Sequence, residues 1–557
     1  MLKILSMRGM PPVVVALVLI WLAVVEWPSF GLSQSGRSGR RSARVRDLEP
    51  VGADQSLGRL WVRLQDEAGR SVAARIYVQD AQGKAYIPPG SVARQAGRSS
   101  EYYFHADGHF QIELPDGGAT IEAVKGFEYI PQAQQIRLRP NQTTSVILTL
   151  RRLMDLPSMG WYSGDVHMHP NHVPGGLYVT MEDSRVLAEG EDIKVGNLLI
   201  SSVGSFAHVF DTEFFNHGRP DPVSTDETIL VVQEEFRNTS AMYGHMPLLG
   251  IKRLVEPFYT GQENSAYWED YPPNYTIARA AKDQGGAVSY THPSDGPEIP
   301  VGPHLAREFP IDLALGVVDA LDILGNKDEE GGCWMYYRVL NCGLKCTASA
   351  GTDSQMDVAR HALPGGAKVY VKVDAALTYE KWIEGYKAGR TFVSNGPLLL
   401  LEVDGKEPGA EIHLPAPGTV RVKAKADSNV PMDVLELIVN GEVAAQVKRS
   451  GDGTSLEIDY ELPLSKSSWV AARIWGPPHR LVVNDPRTFA HTSPVYVYVG
   501  GQRIASVRDA EIILAWIDRL IHDVAESPRF ATEARRNEVL TLFKKGRRYY
   551  ERIAAQN

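Results

Sequence analysis

Cysteine is scarce in this sequence, which has only three among 557 residues: Cys333, Cys342 and Cys346. Three cysteines can form at most one bridge, so the chain is not a disulfide-stabilised scaffold. A cysteine-based zinc site is also disfavoured, because these spacings lack a second C-x-x-C pair. We therefore expect the three cysteines to be buried small side chains in a helix and a strand.

The sequence also lacks an excess of positive charge and the motifs of several enzyme classes. The formal net charge is -9, which argues against a broad surface for nucleic acid but leaves room for a local cationic pocket. No G-x-G-x-x-G follows a predicted strand, and neither a Walker-type loop nor a G-x-S-x-G elbow occurs. A redox or nucleotide-binding enzyme therefore has little support.

The apolar run near the N-terminus is short. It covers residues 11–25, which is 15 residues, whereas a membrane-spanning helix needs about 20. Lys3 and Arg8 precede the run and small polar residues follow it, which is the layout of a secretory signal peptide. We predict a signal peptide over residues 1–33, export to the periplasm, cell surface or medium, and no stable membrane insertion. An uncleaved anchor is the alternative.

The size of the chain implies three or four domains, and short strands dominate two of them. After a Ser-, Gly- and Arg-rich linker at 34–54, residues 55–152 alternate apolar and polar side chains between turns, which predicts a β-sandwich. Its pattern resembles the carboxypeptidase regulatory-like sandwiches of exported proteins. Residues 398–499 predict a second β-sandwich, and residues 503–557 a helical tail. The clearest alternating segments are 60–64, 74–78, 110–114, 120–124, 145–150 and 434–439.

The middle of the chain has a different pattern, in which apolar strands alternate with helices. Residues 277–284 predict a helix, 287–291 a strand and 379–388 another helix. This alternation predicts an α/β domain over residues 156–397 with a largely parallel sheet or barrel.

Histidines and carboxylates stand at the ends of several of these predicted strands. His167 and His169 are two apart, so on a strand both point to the same side, and Pro170 ends that strand. H-x-H alone is a weak signal, but in α/β barrels ligands gather at the C-terminal ends of strands. The constellation therefore predicts a metal site. Its further members are Glu234 and Glu235 after one apolar strand, His245 at the start of another, His292 before Pro293, and Asp353 after a glycine turn.

One known family has motifs of this kind in this order. The segment Gly164-Asp-Val-His-Met-His resembles the first motif of the polymerase and histidinol phosphatase (PHP) metallohydrolases. Several further segments are similar to those of the CehA/McbA branch, which includes carbaryl hydrolases. The likeness covers residues 160–400 well and extends more loosely to 499. Its supporting segments are 234–237, 244–250, 290–293, 314–319, 351–354 and 389–397.

The resemblance implies a distorted (β/α)7 barrel, flanked by the two sandwiches, with two divalent metal ions at the strand ends. His167, His169 and Asp353 would hold the first ion. Glu235 would bridge to a second ion held by His245 and His292, with Glu234 as the neighbouring alternative for the bridge. This ligand mix suits zinc, manganese or iron.

The sequence also departs from the family. Many PHP proteins have an Asp-His pair after an early strand, which residues 198–208 lack, and many end the last motif with Asp-x-His, where this chain has Gln355. Both losses would remove ligands of a third ion, so we predict two ions at most. A one-ion or inactive protein remains an alternative.

These features predict an exported metal-dependent hydrolase whose metal-activated hydroxide cleaves a small-molecule ester, carbamate or phosphoester. Asp165 would orient a histidine or serve as a turn residue. His172 would act as acid or base, or complete a ligand set. Arg237 shares the face of Glu235 and would stabilise an oxyanion or form a structural ion pair. The alternative from another class is a non-catalytic surface or glycan-binding protein with a degenerate barrel. The oligomeric state is open.

Overall fold

The computed structural model describes residues 56–203, 208–325 and 328–556. The predicted signal peptide and linker lie outside these residues. The first nine strands form two sheets that share one buried core. They are β1 (Leu57–Asp66), β2 (Ala73–Asp80), β3 (Arg94–Ala96), β4 (Tyr102–Asp107), β5 (His109–Pro115), β6 (Gly117–Val124), β7 (Tyr129–Ile130), β8 (Gln132–Leu138) and β9 (Thr143–Arg152).

Alternation of side chains explains this pair of sheets. In β1 and β5 every second residue is buried and those between them face solvent, as expected for strands with one face on a core. The strand orders are β5-β1-β9-β7 and β3-β4-β2-β6-β8. The strands predicted from period-two alternation in this part of the chain are therefore confirmed.

The middle of the chain combines strands and helices, so the predicted mixed α/β class is confirmed. Its helices are α1 (Met181–Gly190), α2 (Asn274–Lys282), α3 (Phe309–Ala314), α4 (Glu329–Asn341) and α5 (Tyr379–Lys387). Its strands are β10 (Trp161–His169), β11 (Val195–Ile200), β12 (Ser202–Val203), β13 (His208–Val209), β14 (Ile229–Asn238), β15 (His245–Leu249), β16 (Tyr259–Thr260), β17 (Ala287–Tyr290), β18 (Ala320–Leu324), β19 (Thr347–Ala350), β20 (Ser354–Gln355), β21 (Arg360–His361), β22 (Lys368–Lys372) and β23 (Thr391–Ser394).

Most neighbouring strands around the metal-site motifs run parallel. The pairs β10–β11, β11–β14, β17–β18 and β18–β19 are parallel. β15 breaks this pattern, because it runs antiparallel to both β14 and β17. The first residues of β15 therefore lie at the same edge as the last residues of its neighbours. That edge brings the histidines and carboxylates together.

The strands that follow continue the same hydrogen-bonded sheet. They are β24 (Leu398–Val403), β25 (Glu411–Leu414), β26 (Gly418–Asp427), β27 (Val434–Val439), β28 (Glu442–Lys448), β29 (Ser455–Leu464), β30 (Ser468–Gly476), β31 (Thr488–Thr492) and β32 (Val495–Val499). β23 pairs with β31 across the predicted boundary at residue 398. A separate three-stranded sheet, β24-β26-β29, shares a core with that extension.

Two long helices, α6 (Val507–Glu526) and α7 (Glu533–Ala554), end the described chain. Their buried faces join the core of the middle region, where Trp516 and Phe543 are among the packed side chains. Within the described residues, no helix is both long and apolar enough to span a bilayer. The three cysteines are free and buried, as expected.

Candidate metal centre

His167 and His169 occupy alternate positions of β10, so their rings point to the same side of the strand. Met168 between them is packed in the core on the other side. Nδ1 of His169 donates to the Leu199 carbonyl at 2.9 Å, and Nδ1 of His167 lies 2.9 Å from the Thr291 hydroxyl. Each ring is held through Nδ1, which leaves Nε2 as the nitrogen that faces the other candidate ligands.

The first ligand group is formed by these two nitrogens and Asp353. Oδ1 of Asp353 lies 3.4 Å from Nε2 of His167 and 3.3 Å from Nε2 of His169. Both nitrogens are buried, and neither has a hydrogen-bond partner among the residues that the structure describes. Ligands bound to one tetrahedral ion at 2.0–2.1 Å are separated by about 3.3 Å. The spacing and the unsatisfied nitrogens therefore fit an ion between the three side chains better than direct hydrogen bonds.

The second ligand group consists of Glu235, His245 and His292. Oε1 of Glu235 lies 3.2 Å from Nδ1 of His245 and 3.9 Å from Nε2 of His292. Nδ1 of His245 is buried and has no hydrogen-bond partner within the described part of the chain. In each group the ligand atoms lie within 4.8 Å of one another. The spacing of the ligand atoms in the second group therefore also fits a bound ion.

Glu235 also connects the two groups. Its Oε1 lies 3.6 Å from Nε2 of His167, and its Oε2 lies 3.6 Å from Nε2 of His169. Glu234 points to the other side of β14, where its carboxylate accepts a hydrogen bond from the Val255 amide at 2.7 Å. Strand alternation thus separates the two neighbouring glutamates, and Glu235 is the one that faces the histidines.

The electrostatics of the site favour bound cations. Burial opposes ionisation of Glu235, but Arg237 and His167 hold its pKa well below the usual range. Burial likewise opposes ionisation of Asp353, yet the two histidines of β10 lower its pKa. Burial lowers the pKa of His292 to about 4. Burial opposes protonation of His167, but Asp353 and Glu235 raise its pKa to about 9, so an ion bound by its Nε2 would displace a proton. The site therefore offers anionic carboxylates together with imidazole nitrogens, which is the donor set that divalent transition ions prefer.

Two candidate ligands have unusual backbone conformations. His292 has φ 33° and Asp353 has φ 49°, both in the left-handed region that non-glycine residues rarely adopt. Such conformations cost free energy and gather at functional sites. Gly351 allows the turn before Asp353 to approach β10, because a Cβ there would lie 2.5 Å from Cβ of His167.

Asp165 holds the backbone around the site, and none of the hydrogen bonds that its carboxylate makes to described residues involves an imidazole ring. Its buried carboxylate accepts hydrogen bonds from the amides of His167, Thr352 and Gly365 and from the Thr352 hydroxyl. It thereby ties β10 to the turn that presents Asp353. Burial raises the pKa of Asp165, and these hydrogen bonds counteract that rise.

Asp165→Ala is expected to destabilise the protein by about 3 kcal/mol or more, because each buried donor left without a partner costs about 1–3 kcal/mol. Urea unfolding monitored by circular dichroism measures the change. Asp226→Ala, which removes an exposed aspartate, is the matched control. A stability equal to that of the control would show that the four hydrogen bonds do not hold this region.

His172 and Arg237 lie beside the candidate ligands. The His172 ring stacks on His169 with centroids 4.3 Å apart. Nη1 of Arg237 lies 3.3 Å from Nε2 of His172 and donates to the Ser202 carbonyl at 2.8 Å. Nδ1 of His172 lies 3.3 Å from the Ser201 hydroxyl. With both ring nitrogens engaged, His172 is placed to orient Arg237; its predicted acid–base role stays a prediction.

Sequence analysis missed two side chains that support the ligands. Thr291 contacts His167, as described above. His304 contacts the second group: its Nδ1 lies 2.9 Å from Nε2 of His245, and its carbonyl accepts from Nδ1 of His292 at 3.1 Å. His304 stands in an irregular loop between β17 and α3, where no periodicity indicates a direction. Its histidine identity was the only available signal.

Three solved structures that are similar to parts of the chain share 10–14% sequence identity with it. No protein-family model matches it, and no curated protein does. A two-domain Bacteroides vulgatus protein containing a predicted PHP-like metal-dependent phosphoesterase is similar over 60% of this chain and 95% of its own, at 13% identity and a TM-score of 0.28. A Parabacteroides merdae β-glucuronidase is similar over 78% of this chain and 61% of its own, at 10% identity and a TM-score of 0.17.

A minor pilin of Streptococcus agalactiae is similar over 18% of this chain, at 14% identity and a TM-score of 0.14. The matched region spans about half of the pilin, 47% of its length. TM-scores this low carry no argument for fold or function. The case for a metal centre therefore rests on the residues of the chain itself.

Proposed function

We propose that this protein is a metal-dependent hydrolase with two divalent ions held by His167, His169 and Asp353 on one side and by His245 and His292 on the other. The observation that carries the proposal is the position of Glu235, whose two oxygens face both groups. A carboxylate between two histidine-rich groups is the arrangement that a bridged pair of ions requires.

Two ions held there would supply Lewis acidity and lower the pKa of a water molecule from 15.7 to about 7. The substrates that this chemistry fits are small molecules with an ester, carbamate or phosphoester bond. The resemblance of the motifs to the CehA/McbA branch supports an ester or carbamate substrate as well as a phosphoester. We also propose that the protein is exported and that its α/β domain is a distorted (β/α)7 barrel.

Arg237 is the residue that would meet negative charge developing on the substrate. Its Nε lies 3.9 Å from Oε2 of Glu235 and has no hydrogen-bond partner in the segments that the structure describes. Its Nη1 is fixed by Ser202 and His172, so the guanidinium is oriented before substrate arrives. A preoriented donor stabilises an oxyanion without reorganisation during the reaction.

Purified protein reconstituted with zinc or manganese is expected to contain about two ions per chain, as in binuclear hydrolases. Elemental mass spectrometry measures this content. Hydrolysis of p-nitrophenyl esters, carbamates and phosphoesters should be lost after chelation and restored by the same metal. No bound metal after reconstitution would reject the enzyme and favour the alternative, a non-catalytic surface or glycan-binding protein.

A further inference from the structure

His304 contacts both histidines of the second ligand group. Its imidazole Nδ1 lies 2.9 Å from Nε2 of His245, and the two rings are 4.6 Å apart, centroid to centroid. Its own backbone carbonyl accepts the Nδ1 hydrogen of His292 at 3.1 Å. One residue therefore touches the nitrogen opposite the ligand atom on each of these rings.

The tautomers follow from these contacts. Nδ1 of His245 faces Glu235, so an ion at this group would take the Nδ1 lone pair and leave the proton on Nε2. That proton must then be donated to Nδ1 of His304. On His292 the proton is on Nδ1, because a carbonyl only accepts, and Nε2 is the nitrogen left for the ion.

We propose that His304 is a positioning residue that sets Nδ1 coordination by His245 and Nε2 coordination by His292. The inference rests on the proposed function, since it concerns the second of the two ions. An imidazole oriented by a hydrogen bond at its far nitrogen binds metal in a fixed direction and with raised basicity. His304 supplies such a partner to two ligands at once, one from its side chain and one from its backbone.

The conformation of His304 supports a specific role. Its φ of 67° lies in the left-handed region, which costs free energy for a residue with a Cβ. This conformation directs the carbonyl to His292 while the side chain reaches His245. The first ligand group has its own supports, Thr291 and the Leu199 carbonyl. Loss of the His304 side chain should therefore affect the two ions unequally.

The test is calorimetric titration of chelator-treated full-length protein with Mn²⁺, comparing the parent, His304→Ala and His304→Gln. In His304→Ala the affinity for the second ion should fall about 10–100-fold, as it does when an outer partner of a metal ligand is removed, with the first ion unchanged. His304→Gln should restore binding, because its amide oxygen can accept the His245 proton. His109→Ala, at an exposed histidine of β5, is the matched control.

If His304→Ala binds each ion with the same affinity as the parent does, the role of His304 is overturned and the proposed function stays intact. A parent that binds no Mn²⁺ would overturn both. If His304→Ala fails to fold, His304→Leu is compared with His304→Gln, since the two are similar in size and only Gln has an acceptor. Equal binding by those two variants would also overturn the inference.

Discussion

Replacement of Glu235 by glutamine is expected to remove both ions and to reduce hydrolysis to background. Oxygens of this carboxylate lie 3.2–3.9 Å from four imidazole nitrogens, two in each ligand group. Glutamine keeps the shape but replaces one oxygen by an NH2 group, which has no lone pair for an ion. The loss should exceed the roughly 10–100-fold effect of removing an outer partner.

The neighbouring residue provides the control for this experiment. Glu234→Gln changes the same functional group one position earlier on β14, where the side chain faces away from the histidines. Burial raises the pKa of Glu234 well above the usual range, and glutamine keeps an oxygen that can accept the hydrogen bond from the Val255 amide. Glu234→Gln should retain both ions and full turnover. Equal metal content in both variants would contradict the bridging role of Glu235.

Much of the site could be predicted from the sequence because strand side chains alternate with a period of two. His167 and His169 had to share a face because strand side chains alternate. The same rule separates Glu234 from Glu235, although only the observed register decides which one faces inward. The predicted strand at 287–291 and helices at 277–284 and 379–388 agree with β17, α2 and α5 to within a few residues.

The supporting contacts were not predictable, because they depend on loops and on long-range pairing. Asp165 receives hydrogen bonds from Thr352 and Gly365, about 200 residues away, and nothing local indicates such partners. His304 lies in an irregular loop, where side-chain direction follows from tertiary packing. The antiparallel direction of β15 also escaped the sequence pattern, since apolar strands of either direction look alike. That direction is what places His245 at the strand edge shared with Glu235.

The two ligand groups should be separable by one substitution in each. Asp353→Asn is expected to lose the first ion and His292→Asn the second, so each variant should contain about one ion per chain. Asparagine suits both positions because it tolerates positive φ better than most residues, which limits the effect on folding. Both variants should lose most hydrolysis, since the proposed reaction requires the pair.

The metal content of each variant is measured after reconstitution, and the thermal unfolding temperature is measured on the metal-free protein. Together they distinguish the loss of a metal ligand from the loss of folded structure. The double variant, which lacks a ligand in each group, should contain no metal. Loss of both ions in each single variant would instead show that the ions bind cooperatively through Glu235, because its carboxylate is then held in place by both ions together. Two retained ions and unchanged turnover in Asp353→Asn would contradict the assignment of the first group.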